Sequence, residues 1–250
     1  MNNNLKILII AGEKSGDNHG ASLMNSIKKK SDKNAEFIGI GGEKMNKQGL
    51  NSIVKLEKMA VMGFWEVFKK ILFFINLKKK VIKLIKTENP EKIILIDYPG
   101  FNLNIAKKIK KNFSTPIYYY ISPQIWAWKE KRINVIKKYS DRMMVIFPFE
   151  KDWYKKRGVD VDFVGHPILD QIGNENKDKI IKNLNLDSDK LILGVFPGSR
   201  NQEFSKHIKP ILDAIKLIKK QLPNLQVVIC KAPEVNYQIK KSTDNSILVH

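Results

Sequence analysis

Ile93-Ile94-Leu95-Ile96 is an apolar run without polar alternation, and it stops abruptly at Asp97-Tyr98-Pro99-Gly100-Phe101-Asn102. Such a run fits a strand buried on both faces, as in a parallel sheet covered by helices on each side. Similar runs recur at Ile7 to Ile10, Phe37 to Ile40, Ile117 to Ile121 and Met143 to Ile146, with helical patterns between them. That alternation predicts an α/β fold with a doubly wound parallel sheet. Beyond a polar stretch, Gly173 to Lys179, two more strand-like runs follow at Leu191 to Phe196 and Leu225 to Cys230, separated by a helix from about Lys206 to Gln221. We therefore expect two Rossmann-like domains, 1–172 and 173–250. Ser246 to His250 reads as one further strand, and the second domain has too few elements to bury both faces of its sheet. More chain or a partner is expected to complete it.

Forty-five Lys and Arg against 25 Asp and Glu leave a formal charge of +20 over 250 residues. That charge attracts phosphate-bearing ligands, nucleic acid or an anionic membrane without choosing among them. The single cysteine, Cys230, has no internal disulfide partner, which suits a reducing compartment. The N-terminus runs directly into a strand without a signal-peptide pattern, and no stretch approaches the ~20 apolar residues of a membrane span. The expected location is cytoplasmic. One segment, Ala60 to Leu77, is rich in Phe and Trp and is followed by Lys78, Lys79 and Lys80. It suits either a helix lying in lipid headgroups or an amphipathic helix pair packed on the sheet.

In open parallel sheets, ligands collect beyond the carboxyl ends of the strands. Asp97 ends one strand and is the first catalytic candidate, with Asn102 in the same turn. Ser122 follows the Ile117–Ile121 strand, and Trp126 and Trp128 offer an aromatic wall for a sugar face or acyl chain, or simply cap the core. The first strand leads into Ala11-Gly12-Glu13-Lys14-Ser15-Gly16-Asp17, where the glycines permit a tight turn and close backbone approach. Asp17 is either a ligand contact or a helix cap. Glu150 sits at another strand end, as ligand contact or cap, and His166 precedes a proline at the domain edge. In the second domain, Pro197-Gly198-Ser199-Arg200-Asn201-Gln202-Glu203 offers backbone N–H groups and a guanidinium at a helix entrance, a plausible diphosphate site. No His, Cys and carboxylate spacing suggests a metal site, and no Ser-His-Asp order assembles.

Seven motifs in order, AGEKSGD at 11–17, GIGGEKM at 39–45, IDYPGFN at 96–102, SPQIWAWKEKRI at 122–133, PFE at 148–150, VGHP at 164–167 and PGSRNQE at 197–203, closely resemble those of the lipid-A-disaccharide synthases. The resemblance implies an inverting glycosyltransferase of the GT-B type, without metal or other cofactor. It would join UDP-2,3-diacylglucosamine to 2,3-diacylglucosamine 1-phosphate with loss of UDP, a step toward lipid A in Gram-negative bacteria. It implies Asp97 as general base, and Glu13, Ser15, Gly16, Asp17, Asn102, Ser122, Trp126, Trp128, Glu150 and His166 as substrate contacts. Gly198, Ser199 and Arg200 would hold the UDP diphosphate. It also implies a peripheral place on the anionic cytoplasmic face of the inner membrane and no nucleic-acid partner, and it leaves the oligomeric state open. In the family an acidic residue usually follows the motif's proline, where this chain has Gly100, so Asp97 is expected to work without that neighbour. The family's glycine-rich, acid-containing nucleotide segment lies beyond the residues present. Competing readings are another UDP-sugar glycosyltransferase or epimerase, and an inactive or partner-dependent basic module that binds membranes.

Overall fold

The computed structural model describes residues 4–59, 66–170, 172–173, 176–233, 235–236 and 247–249. The chain divides into two compact units, Met1–Gln171 and Ile172–His250. In the first, strands β1 (Asn4–Ala11), β2 (Asn34–Ile40), β3 (Leu50–Ser52), β4 (Lys92–Ile96), β5 (Ile117–Tyr120), β6 (Arg142–Val145) and β7 (Asp162–Phe163) form one sheet of order β3-β2-β1-β4-β5-β6-β7. Every neighbouring pair is parallel. The apolar runs read from the sequence are thus strands, each one or a few residues from its expected bounds.

Helices α1 (Lys14–Lys30) and α2 (Glu43–Lys47) follow β1 and β2, while α3 (Glu66–Glu88), α4 (Pro99–Lys110), α5 (Ile133–Tyr139) and α6 (Pro148–Lys155) belong to the other half of the winding. Alternate strand residues feed two separate cores. Leu8, Ile10, Ile93, Leu95, Ile117, Tyr119, Met143 and Val145 pack with α3 to α6. Ile7, Ile9, Ala11, Ile94 and Ile96 pack on the other face, where Met24 of α1 and Met45 of α2 close over them. Both faces of β1 and β4 are therefore dry, which is why their sequences show no alternation.

The apolar segment before residue 78 divides. Ala60 to Trp65 lies outside the described residues. Within α3, Leu77, Val81 and Ile85 are buried in the first core, and Phe73 and Phe74 pack partly against it. Ile71, Leu72 and Ile75 instead face outward, with Leu72 65% exposed. One helix thus has a core-facing sector and an exposed apolar sector just before its lysines. No helix among the described residues is long and apolar enough to cross a membrane.

The second unit holds α7 (Lys177–Asn183), β8 (Ile192–Val195), α8 (Asn201–Gln221), β9 (Gln226–Ile229) and β10 (Ile247–Val249), with a parallel sheet of order β10-β9-β8. Phe204, Ile208 and Ile215 of α8 bury against Val227 and Ile229 of β9. α8 begins at Asn201, earlier than expected. Glu203 falls in its first turn, where the helix dipole favours a carboxylate, so the turn shrinks to Pro197–Arg200.

Candidate functional site

The strand order reverses between β1 and β4. The chain adds β2 and β3 on one side of β1 and then returns to lay β4 on the other. At such a switch point the two following loops part and leave a crevice. Ala11 is in register with Ile96, so Gly12-Glu13 and Asp97 emerge side by side at the carboxyl edge.

The turn after β4 is unusual. Asp97 and Tyr98 both adopt left-handed backbone conformations, with φ of 41° and 46°. Each non-glycine residue held there costs on the order of 1 to 2 kcal/mol. Several contacts over-determine the strain. The Asn102 side-chain Nδ2 donates to the carbonyls of Ile96 at 3.0 Å and Asp97 at 2.8 Å, and the Tyr119 hydroxyl donates to the Asp97 carbonyl at 2.6 Å. The Asp97 N–H donates to Tyr120 O at 3.1 Å. Tyr98 lies flat over Gly12, where any Cβ would sit 2.2 Å from its ring, and its hydroxyl donates to Met59 O at 3.1 Å. Gly12 is thus required by the Tyr98 ring, although its own φ is unremarkable.

Burial pushes the Asp97 carboxyl up to about 6, the nearby Glu13 charge adds to this, and a backbone hydrogen bond from Tyr98 opposes it. The same burial and the same Glu13 charge raise the Tyr98 phenol. Glu13 is partly exposed and accepts from the Ser15 hydroxyl at 3.0 Å. A carboxylate that holds its proton more tightly than usual, in a crevice, is a group suited to proton transfer near neutral pH.

Several other expected contacts are turned inward. Asp17 is buried, and its oxygens accept from Gly42 N at 2.8 Å, Met45 N at 3.0 Å and Lys44 N at 3.1 Å. It caps α2 rather than its own helix. Gly16 is buried because a Cβ there would lie 3.2 Å from the Ala11 Cβ, where α1 packs closely on β1. Ser122 is buried and shares a 2.7 Å hydrogen bond with the Tyr154 hydroxyl. Glu150 is 1% exposed; one oxygen accepts from Ile146 N at 3.1 Å and Phe147 N at 3.0 Å, the other from Trp126 Nε1 at 3.1 Å. Asn102 is fully buried and its amide nitrogen is spent on the Asp97 turn. All five of these residues are buried.

The two tryptophans diverge. Trp126, fixed by Glu150, meets Phe149 edge-on at 5.0 Å. Phe149 stacks on Phe147 at 5.7 Å, Phe147 meets His166 at 5.7 Å, and His166 meets His19 of α1 at 6.3 Å. A line of five rings therefore crosses the carboxyl edge from the β5 loop to α1. No spacing in the sequence marks Phe147, Phe149 or His19, because the ring contacts join residues that follow β1, β5, β6 and β7. His166 Nδ1 accepts from Ile168 N at 3.2 Å, and burial with the His166 charge lowers the His19 pKa. Trp128 is 59% exposed and carries the cations of Lys129 and Arg132 over its ring at 4.4 and 5.5 Å.

In the second unit, Gly198 has a φ of 132°, and a Cβ there would meet the Glu203 Cβ at 2.6 Å, so only glycine suits this turn. Arg200 is exposed and pairs with Glu203 at 3.0 Å. The His207 Nδ1–H donates to the Pro197 carbonyl at 2.8 Å and ties the turn to α8. Arg200 is the N-cap residue of α8, directly after the Pro197-Gly198-Ser199 turn. Among the described residues, no group of three His, Cys, Asp or Glu side chains gathers as a metal ligand set.

Two α/β units, each with a parallel sheet, give the chain a fold of the GT-B type. In fold it matches a Neisseria meningitidis UDP-GlcNAc 2-epimerase bound to UDP-GlcNAc, with TM-score 0.65 and 11% identity over 98% of this chain and 72% of that one. It also matches a spinosyn rhamnosyltransferase complexed with thymidine diphosphate, with TM-score 0.59 and 8% identity over 98% of this chain and 70% of that one. Within that class, residues 7–249 match the model of the lipid-A-disaccharide synthetase family, and the chain belongs to it. It is 40% identical over 227 residues to the lipid-A-disaccharide synthase of Coxiella burnetii (strain Dugway 5J108-111), covering 90% of this chain and 60% of that one. It is 41% identical over 238 residues to lipid-A-disaccharide synthase 1 of Legionella pneumophila (strain Paris), covering 94% and 62%. The chain thus spans about 60% of the length of these curated relatives.

Proposed function

We propose that this chain carries the acceptor-activating and diphosphate-binding parts of an inverting glycosyltransferase that joins UDP-2,3-diacylglucosamine to 2,3-diacylglucosamine 1-phosphate. The observation that carries the reading is Asp97, a carboxylate of raised pKa on a strained turn at the sheet's switch point. In the reaction Asp97 takes the proton of an acceptor hydroxyl as that oxygen attacks the anomeric carbon from the face opposite UDP. The bond from that carbon to the diphosphate oxygen breaks, the electron pair leaves with UDP, and the configuration inverts. Arg200 and the 198–199 amides neutralise the departing diphosphate, and the Arg200–Glu203 pair opens to release the guanidinium for it. Glu13 and Ser15 reach the acceptor side, with Trp126, Trp128 and His166 offering sugar-face contacts. Gly16, Asp17, Asn102, Ser122 and Glu150 support this surface from within. The first unit, Met1–Gln171, serves the acylated acceptor sugar, and the second, Ile172–His250, begins the UDP-sugar unit. In the test, UDP release is followed as each acylated sugar is supplied alone and then together. Release only with both supports the proposal. Release from unacylated UDP-N-acetylglucosamine with no acceptor, or formation of its 2-epimer, overturns it in favour of the epimerase reading.

The protein acts as a peripheral protein on the anionic cytoplasmic face of the inner membrane. Exposed Ile71, Leu72 and Ile75 beside Lys78 to Lys80 support this, as does the +20 charge. Burying an apolar side chain of this size in the interface contributes ~1.5 to 3 kcal/mol. Ile71→Glu with Leu72→Glu is therefore expected to weaken sedimentation with anionic vesicles by roughly a hundredfold, whereas added salt should weaken it only in part. Unchanged sedimentation of the double variant would remove α3 from the membrane contact.

A further inference from the structure

Among the described residues, Tyr119 is the large polar side chain in the heart of the α3 to α6 core that reaches the Asp97 turn, and it is fully buried, with a relative exposure of 0%. Its hydroxyl donates to the Asp97 carbonyl at 2.6 Å while Asn102 Nδ2 donates to the same oxygen at 2.8 Å. Both lone pairs of that oxygen are occupied, so the peptide plane joining Asp97 to Tyr98 is clamped from the α4 side and from the β5 side at once. Asp97 and Tyr98 are left-handed at this plane. A rotation that returned Asp97 to an ordinary strand conformation would pull its carbonyl away from both donors. From this geometry, and resting on the reading of Asp97 as general base, we propose that Tyr119 is a positioning residue which holds the Asp97 backbone in its left-handed state and so aims the carboxylate into the crevice.

Two further features suit the role. Burial raises the Tyr119 phenol well above its ordinary value, with the Asp97 and Tyr154 charges adding to this and Arg132 opposing it, so the hydroxyl keeps its proton and remains a donor. Tyr119 also lies on β5, the strand that pairs with β4 on the side away from β1, with Leu95 in register with Tyr119. The clamp is thus built from the rigid sheet rather than from a loop. A second buried tyrosine in the same core, Tyr154, donates to or accepts from Ser122 at 2.7 Å, and among its described hydrogen bonds none goes to Asp97. It provides the natural control, being a buried phenol equally able to stabilise the core.

The test is Tyr119→Phe against Tyr154→Phe, read by carbon NMR titration of the Asp97 carboxyl, which is assigned by its loss in Asp97→Asn. In the unaltered chain the carboxyl should titrate near the raised value. In Tyr119→Phe the turn relaxes toward solvent, and the midpoint should fall by at least one pH unit toward that of an ordinary aspartate, with a changed carboxyl chemical shift. In Tyr154→Phe both should stay where they are even where the melting temperature drops. If Tyr119→Phe leaves the Asp97 midpoint unchanged, or Tyr154→Phe moves it equally, Tyr119 is an ordinary core residue and the proposal is overturned. If the phenylalanine variant does not fold, the unaltered chain still decides. The Tyr119 hydroxyl proton should be protected and slow to exchange, and rapid exchange overturns the clamp. Titration of Asp97 needs no turnover, so failure here is distinct from failure of the glycosyltransferase reading, which the UDP-release assay decides.

Discussion

Asp97→Asn is expected to stabilise the protein at neutral pH while lowering acceptor-dependent UDP release by about 10²- to 10⁴-fold, the usual contribution of a positioned acid or base. The sign follows from linkage. The folded state holds the Asp97 proton more tightly than the unfolded chain does, because burial and Glu13 raise the carboxyl from its ordinary value of 3.8 to about 6. Stability from this group is therefore complete below about pH 4, declines as the pH rises toward 6, and stays lost above that. Carrying the ionised carboxylate at pH 7 costs roughly 2 to 3 kcal/mol by this measure. Asparagine never ionises and tolerates left-handed φ well, so it removes that cost without disturbing the turn. Denaturant melts at pH 4 and pH 7 check the expectation: the variant should gain on the parent only at the higher pH. Equal stability at both would mean the carboxylate is not strained by burial. In the unaltered chain, kcat/KM for the proposed transfer should rise with pH through about 6 as Asp97 loses its proton.

Glu150→Ala should be among the most damaging single substitutions in the first unit, because its side chain is almost wholly buried. Its carboxylate is 1% exposed and takes three donors, Ile146 N, Phe147 N and Trp126 Nε1. Each buried donor left alone costs ~1 to 3 kcal/mol, and partial entry of water limits the total to about 3 to 5 kcal/mol. Glu150→Gln provides the informative contrast. A carbonyl oxygen toward Ile146 and Phe147 preserves the α6 cap but sets an NH₂ against the Trp126 indole N–H. The glutamine should then cost only about 1 to 2 kcal/mol, concentrated at Trp126, whose fluorescence should shift as its ring leaves Phe149. Equal costs for Ala and Gln, with Trp126 emission unmoved, would mean that the indole bond contributes nothing.

The roles of these residues were unequally legible. Asp97 stood out because an apolar run ended on it, and strand ends are where open sheets place their chemistry. Glu150 ends a strand in the same way, and its sequence context fits a cap and a ligand contact equally. The distances to Ile146, Phe147 and Trp126 show that it caps α6 and holds the indole. Asp17 had a sequence signature of a cap for α1, but the amides it accepts from open α2, 25 to 28 residues later. No local pattern encodes a cap supplied by another helix. Tyr119 was invisible as more than a core aromatic, since its bond to the Asp97 carbonyl depends on β5 lying beside β4.

Taken alone, the sequence determined the local elements and the family. Continuous Ile-rich runs dictate strands dry on both faces, and seven ordered motifs are too specific to arise by composition. The tertiary structure decided which strand ends are neighbours. Ala11 pairs with Ile96, so Glu13 stands close enough to Asp97 to raise its pKa, and the strained turn is closed by Gly12, Asn102 and Tyr119 from three separate segments. Periodicity reports how each strand is buried, but it carries no information about strand order. That order is set by how helices of given length pack their apolar faces across the sheet, and the chemistry of this site follows from it.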